Sequence, residues 1–119
     1  MVFVSTASVV MSPESTCLEE DAPLRGYSNT YTRSKREAER LIQASGLDAV
    51  IVRPSIVLSR GVRDRVMARS ILWAVPIMGA VGAVPIDGSA HIDVAPVDYV
   101  AGAIVRLAVK RSLKYPVYH

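Results

Sequence analysis

The chain has 119 residues, of which 50% are hydrophobic and 21% are charged, and it carries a formal net charge of +3. This length fits one domain, and this balance of residue types excludes a disordered tail. The basic residues are scattered and Cys17 is the only cysteine, which excludes a disulfide framework and disfavours nucleic-acid binding. We therefore expect a cytoplasmic protein without a nucleic-acid partner or a metal site.

Strands and helices alternate in the first half of the chain. Residues 2–5 are typical of a short buried strand, and residues 10–30 of a polar loop. Residues 30–45 have helical spacing, and Gly46 is placed to end the helix. Residues 47–52 then predict a second buried strand.

Two further helices and the start of a strand are predicted in the second half. The pattern indicates a helix over 62–78, bent or ended near Pro76, and another over 97–110, followed by a strand that begins at 117–118. The uncharged run 70–86 is too short and too rich in proline and glycine for a membrane span. Strands that alternate with helices predict an α/β fold with a parallel sheet.

Tyr31 and Lys35 carry the first chemical signal. They lie four residues apart on a predicted helix, so both side chains project from one face. An ammonium beside a phenol favours the phenolate, which makes a tyrosine a better proton donor or acceptor near neutral pH. Thr6, at the end of the first strand, supplies a hydroxyl that can donate to a developing oxyanion. Alone, Tyr-x-x-x-Lys is a common surface pattern, so these residues need further support.

That support comes from the order and spacing of three segments. Val-Ser-Thr-Ala-Ser-Val at 4–9, Tyr31 placed 25 residues after Thr6, and Val-Arg-Pro-Ser-Ile-Val at 52–57 together resemble the extended short-chain dehydrogenase/reductase superfamily. The resemblance implies the C-terminal half of a Rossmann-type NAD(P)-binding fold. It also implies that Thr6 stabilises the substrate oxygen, that Tyr31 is the acid/base and that Lys35 activates it.

The same resemblance implies where a cofactor, NADP or NAD, would lie. Its contacts would come from five residues: Tyr31, Lys35, Pro54, Ser55 and Ile56. Residues 1–60 would form the catalytic end of a single partial domain that spans 1–119, and residues 61–119 the substrate-binding region with a returning helix and strand. The glycine-rich dinucleotide motif is absent, because Gly79-Ala-Val-Gly82 follows a helical pattern and is interpreted as a turn. We therefore expect this chain to hold a dinucleotide weakly by itself, either as a fragment or as a chain whose missing half is supplied elsewhere.

Two segments narrow the choice within the superfamily. Asn29 to Lys35 and Asp93 to Val100 resemble the fatty acyl-CoA reductase (male-sterility) and thioester reductase branch. Nucleotide-sugar epimerases and dehydratases tend to have an arginine where this chain has His91, and a neutral imidazole clamps a diphosphate less well. His91 and Ser8 are the candidate substrate-binding residues. The small-molecule substrate expected is thus a carbonyl or acyl thioester rather than a sugar nucleotide.

Three hypotheses therefore stand, from two classes of protein. The first is an NAD(P)-dependent oxidoreductase that reduces a carbonyl or acyl thioester. The second is a nucleotide-sugar epimerase or dehydratase, and the third is a truncated remnant without catalytic activity. The run from Ile71 to Ile86 would either wall an apolar pocket or form a core helix followed by a loop.

Overall fold

The computed structural model describes residues 1–10, 29–59, 74–83 and 91–119. In chain order the elements are β1 (Val2–Val4), a 3₁₀ turn (Ala7–Val9), α1 (Thr30–Ala44), β2 (Val50–Val52), β3 (Ile56–Leu58), α2 (Ala74–Val81), β4 (Val94–Pro96), α3 (Val97–Val109) and β5 (Val117–Tyr118). Cys17, most of the predicted loop and the first part of the helix predicted over 62–78 lie outside the described residues.

The main sheet is parallel, with strand order β1-β2-β5. The central strand β2 reads Val-Ile-Val, and all three of its side chains are buried, as is Val117 of β5. β-branched residues suit a strand that is covered on both faces. Each such side chain contributes about 1.5–3 kcal/mol through the burial of apolar surface. The α/β fold with a parallel sheet, predicted from the alternation of elements, is confirmed.

A second, two-stranded sheet joins β3 to β4 in parallel, with Ile56 opposite Val94 and Leu58 opposite Pro96. The sequence analysis assigned no strand to either segment. Three residues are too few to show a period, and the partner strands lie far apart in the chain. This small sheet carries the chain directly into α3, which begins at Val97.

The two long helices cover opposite faces of the main sheet. Side chains along a strand alternate between the faces. In β1, Phe3 lies beneath Lys35 of α1, whereas Val2 shares a groove with Leu107 of α3. Lys35 of α1 and Leu107 of α3 therefore lie on opposite faces of β1, and Lys35 approaches the strand from the Phe3 side.

Helix α1 has a defined start and end, close to those predicted. Its N-cap is Asn29, whose Oδ1 accepts hydrogen bonds from the Thr32 backbone N–H at 2.8 Å and the Thr32 hydroxyl at 3.0 Å. After the helix, Gly46 has φ of 71°, the left-handed conformation that glycine adopts most easily. The predicted role of Gly46 is confirmed.

The described part of the helix predicted over 62–78 differs from the expectation. Helix α2 passes through Pro76 and continues to Val81, so of the two predicted alternatives, a bend or an end near Pro76, the end is wrong. Proline is tolerated in a first turn, where the backbone N–H has no partner within the helix. Gly79 lies inside α2, and only Gly82, with φ of 68°, belongs to the turn. In the described ranges no helix is long and apolar enough to cross a membrane.

The Asn29 cap leads to a first prediction. Asn29→Ala removes the acceptor for the Thr32 N–H and should lower the free energy of unfolding by about 1 kcal/mol. Urea unfolding followed by circular dichroism measures the change. Asn29→Asp keeps the acceptor and serves as the control. Equal destabilisation by both substitutions would contradict a capping role.

Candidate active site

The segments that follow β1 and β2 stay paired beyond the strands. The Ser5 N–H donates to the Val52 carbonyl at 2.7 Å, and the Ala7 N–H donates to the Pro54 carbonyl at 2.9 Å. These two bonds hold Thr6 beside Pro54 at the carboxyl ends of two parallel strands. In open α/β sheets this edge is where ligands bind.

Thr6 adopts an extended conformation and caps the 3₁₀ turn. Its Oγ1 accepts a hydrogen bond from the Ser8 N–H at 3.3 Å and lies 3.4 Å from the Ser8 hydroxyl oxygen, to which it donates. Thr6 is half-buried and Ser8 is exposed. The structure thus brings these two predicted site residues together, with Ser8 on the solvent side.

Lys35 reaches the same strand end from α1. Its Nζ donates to the Val4 carbonyl at 3.1 Å and lies 5.4 Å from the centroid of the Phe3 ring. An ammonium near an aromatic face is attracted by the ring quadrupole. α1 also packs against the 3₁₀ turn that Thr6 caps. The ammonium is therefore anchored two residues before Thr6 in the chain.

Tyr31 lies in the first turn of α1, one turn before Lys35, and is 55% exposed. Its backbone carbonyl accepts a hydrogen bond from the Ser34 hydroxyl at 2.8 Å. Lys35 is half-buried and Glu39, four residues further, is 0% exposed. The side chains at 31, 35 and 39 therefore run along one face of α1 from solvent into the core, and the Tyr31 phenol is the most exposed of them.

The three residues proposed beside a nicotinamide are half-buried and contiguous. Pro54 and Ser55 follow β2 directly, and Ile56 begins β3, with its N–H donating to the Asp93 carbonyl at 3.4 Å. Pro54 and Ser55 line a groove of about 820 Å³ between the carboxyl end of β2, β4 and α3. Thr6, Tyr31 and Lys35 do not line this groove, but Ala7 does.

His91 is exposed and lies three residues before β4, and it lies outside the groove. No hydrogen bond or ion pair of the structure ties it to the other predicted site residues. Sequence position alone suggested it, and the structure does not bring it to Thr6. Across the described residues there is no group of three or more His, Cys, Asp and Glu side chains that could hold a metal ion.

A buried ion cluster near this edge was missed by the sequence analysis. Arg53 donates from Nε to Glu39 Oε1 at 3.0 Å and from Nη2 to Glu39 Oε2 at 2.8 Å, and Arg36 Nη1 donates to Oε2 at 2.8 Å. Burial alone would raise the pKa of the Glu39 carboxyl, but the hydrogen bonds from Arg53 and Arg36 hold it below its ordinary value.

The cluster changes the interpretation of the Arg-Pro segment. The resemblance placed this segment beside the nicotinamide, but the Arg53 side chain is 0% exposed and turns to α1 instead. Of the three residues proposed beside the nicotinamide, Pro54 and Ser55 line the groove and Ile56 does not. The sequence offered a partial signal, since an arginine directly after an all-apolar strand needs a partner if it is buried, and Glu39 is one turn beyond Lys35.

The sequence of the chain matches a known protein family. Residues 1–104 match the sequence model of an NAD-binding family described as male sterility protein. The chain belongs to this family. As a member of the male sterility family it forms part of an NAD(P)-binding domain, and the predicted branch of the superfamily is confirmed.

One solved structure extends the comparison to the fold. The terminal R domain from the myxalamid PKS-NRPS biosynthetic pathway is similar, with a TM-score of 0.78 and 30% sequence identity. The match covers 99% of this chain and 32% of that chain. No curated protein matches the chain. The parallel sheet of this male sterility family member is thus part of a Rossmann-like fold, as predicted.

Proposed function

We propose that this chain is the catalytic part of an NAD(P)-dependent reductase that acts on an acyl thioester or a related carbonyl. The observation that carries the proposal is the anchored Lys35 ammonium. Lys35 Nζ donates to the Val4 carbonyl at 3.1 Å. Lys35 follows Tyr31 by one helical turn, and Val4 precedes Thr6 by two residues. A cation, a phenol and a hydroxyl at the carboxyl end of a parallel strand are the groups that carbonyl reduction requires.

Each of the three side chains has a separate task. Tyr31, exposed in the first turn of α1, gives its proton to the carbonyl oxygen as that oxygen gains negative charge. Lys35, one helical turn away on the same face of α1, supplies the positive charge that favours the phenolate that remains. The Thr6 hydroxyl turns from Ser8 to donate to the same oxygen. Ser8, exposed beside it, then contacts the substrate.

A nicotinamide cofactor, when bound, would supply the hydride for the carbonyl carbon, while Tyr31 supplies the proton for the carbonyl oxygen. A thioester that gains this hydride and the Tyr31 proton becomes a hemithioacetal, which loses its thiol to leave an aldehyde. An aldehyde that is reduced in the same way becomes an alcohol. One constellation is therefore sufficient for either substrate.

The residues present fit one end of the cofactor. Lys35 offers a half-buried cationic donor for ribose hydroxyls, and Pro54, Ser55 and Ile56 offer a half-buried surface for the nicotinamide. The 119 residues contain no glycine-rich phosphate loop. We propose that residues outside this chain bind the diphosphate, with 1–60 as the catalytic end of the domain and 61–119 as its substrate side.

The groove beside Pro54 and Ser55 supports an acyl substrate. Much of its lining is apolar, and it includes Val94, Ala95, Tyr99 and Ala103. Outside the buried cluster, its basic side chains are Arg106 and His119. His91 lies outside this groove, so its proposed contact with the substrate is at the rim.

Substrate assays of the full enzyme that contains this chain test the proposal. We expect thioester-dependent oxidation of NADPH or NADH, followed by the nicotinamide absorbance, with release of a free thiol. The control is the same assay with a UDP-sugar in place of the acyl-CoA. Stabilisation against heat by the UDP-sugar and not by acyl-CoA would instead support an epimerase or dehydratase. A lack of thioester-dependent cofactor oxidation, together with no thermal stabilisation by either acyl-CoA or the UDP-sugar, would contradict both enzymes.

A further inference from the structure

The buried cluster of Glu39, Arg53 and Arg36 joins α1, the helix that carries Tyr31 and Lys35, to the main sheet. Arg53 follows β2 directly and binds both carboxylate oxygens of Glu39. A two-pronged contact of this kind fixes direction as well as distance, because the guanidinium is planar and rigid. Arg36 adds a third hydrogen bond from α1 itself. The carboxylate is thereby held in one orientation.

The helix has a second tie to the sheet one turn earlier. Lys35 binds the carbonyl of Val4 at the end of β1, while Glu39 binds the end of β2 through Arg53. Two contacts to two neighbouring strands, one turn apart, set both the rotation of α1 and its position along its axis. The same two contacts therefore fix the position of Tyr31, which lies one turn before Lys35 on α1.

Stability alone explains such a cluster poorly. Apolar side chains of similar volume are often as good as a buried ion cluster, or better, because charges lose their hydration on burial. Directional contacts provide what apolar packing does not: one fixed arrangement of helix and strand.

We infer that Glu39, clamped by Arg53 and Arg36, is a positioning residue that holds Tyr31 and Lys35 at the reacting carbonyl. The inference rests on the proposed function. The clamp acts on two parts of the site, since Arg53 also precedes Pro54 and Ser55. Loss of the clamp should therefore slow the chemical step and leave substrate binding largely intact.

A combined replacement tests this without unfolding the protein. In the full enzyme, Arg36→Met, Glu39→Met and Arg53→Met together remove every charge and keep the volume. We expect a thermal midpoint at or above that of the wild type. We expect kcat to fall about 10–100-fold, as for small displacements of catalytic groups, with KM changed less than about threefold. Glu37→Gln, an exposed change on the same helix, should alter neither constant.

The same replacement in a Tyr31→Phe background separates positioning from mere structure. If the clamp acts through Tyr31, the triple replacement should lower kcat much less in the Tyr31→Phe background than in the wild type. The effects of the two changes on kcat should then be far from additive. Wild-type kcat in the folded triple variant, or a full additional loss without the phenol, would overturn the inference. An unaltered rate in Tyr31→Phe alone would instead refute the proposed function.

Discussion

Tyr31→Phe should lower the kcat of the full enzyme by about 10²–10⁴-fold, the range that general acid–base catalysis contributes. The change removes one oxygen from a side chain that is 55% exposed, so packing should be unaffected. Phenylalanine cannot give a proton to the carbonyl oxygen, while Lys35 and Thr6 remain in place. KM should change much less than kcat, because the lost interaction is made in the transition state.

Steady-state rates of nicotinamide oxidation measure this loss, and circular dichroism checks the fold. Tyr115→Phe is the matched control, since Tyr115 lines a different groove with Met1 and Asp48 at the other end of β1 and β2. It should retain the wild-type rate. Equal rates for Tyr31→Phe and the wild type would show that the Tyr31 phenol is not the proton donor, and the proposed mechanism would then lack its acid.

The sequence predicted the elements that have a long or strongly apolar pattern. Helix α1 showed helical spacing over four turns and ended at a glycine, and β2 is an unbroken apolar run, so both were found within a few residues. The strands β3 and β4 were missed, because each has three residues and gains its stability from a partner far along the chain. Local pattern does not encode such pairing.

The site was predicted from the fixed spacing of Tyr31 and Lys35 and from Thr6 at a strand end. The anchor of Lys35 was not, because its partner is a backbone carbonyl, which any residue provides. Glu39 and Arg36 were not singled out, because two opposite charges three residues apart are a common pair on the solvent face of a helix. Only the folded chain shows that Arg53 completes the pair inside the core.

Glu39→Gln should lower the free energy of unfolding by about 3–5 kcal/mol at neutral pH, the cost of breaking a buried ion pair on one side. The amide keeps the shape of the carboxylate but leaves two buried guanidinium groups without its negative charge. Denaturant unfolding measures the change. Glu37→Gln removes the same charge from an exposed position on α1 and should stay within about 0.5 kcal/mol.

The pH dependence of this difference identifies its origin. Arg53 and Arg36 hold the pKa of the folded Glu39 carboxyl below its ordinary value of 4.5, so the unfolded chain takes up the proton first as pH falls. The stabilisation is complete above the unfolded pKa and is lost as pH falls through the folded one. The gap between wild type and Glu39→Gln should therefore be widest near neutral pH and narrow in acid. A gap that stays constant into acid would mean that Glu39 contributes packing rather than charge.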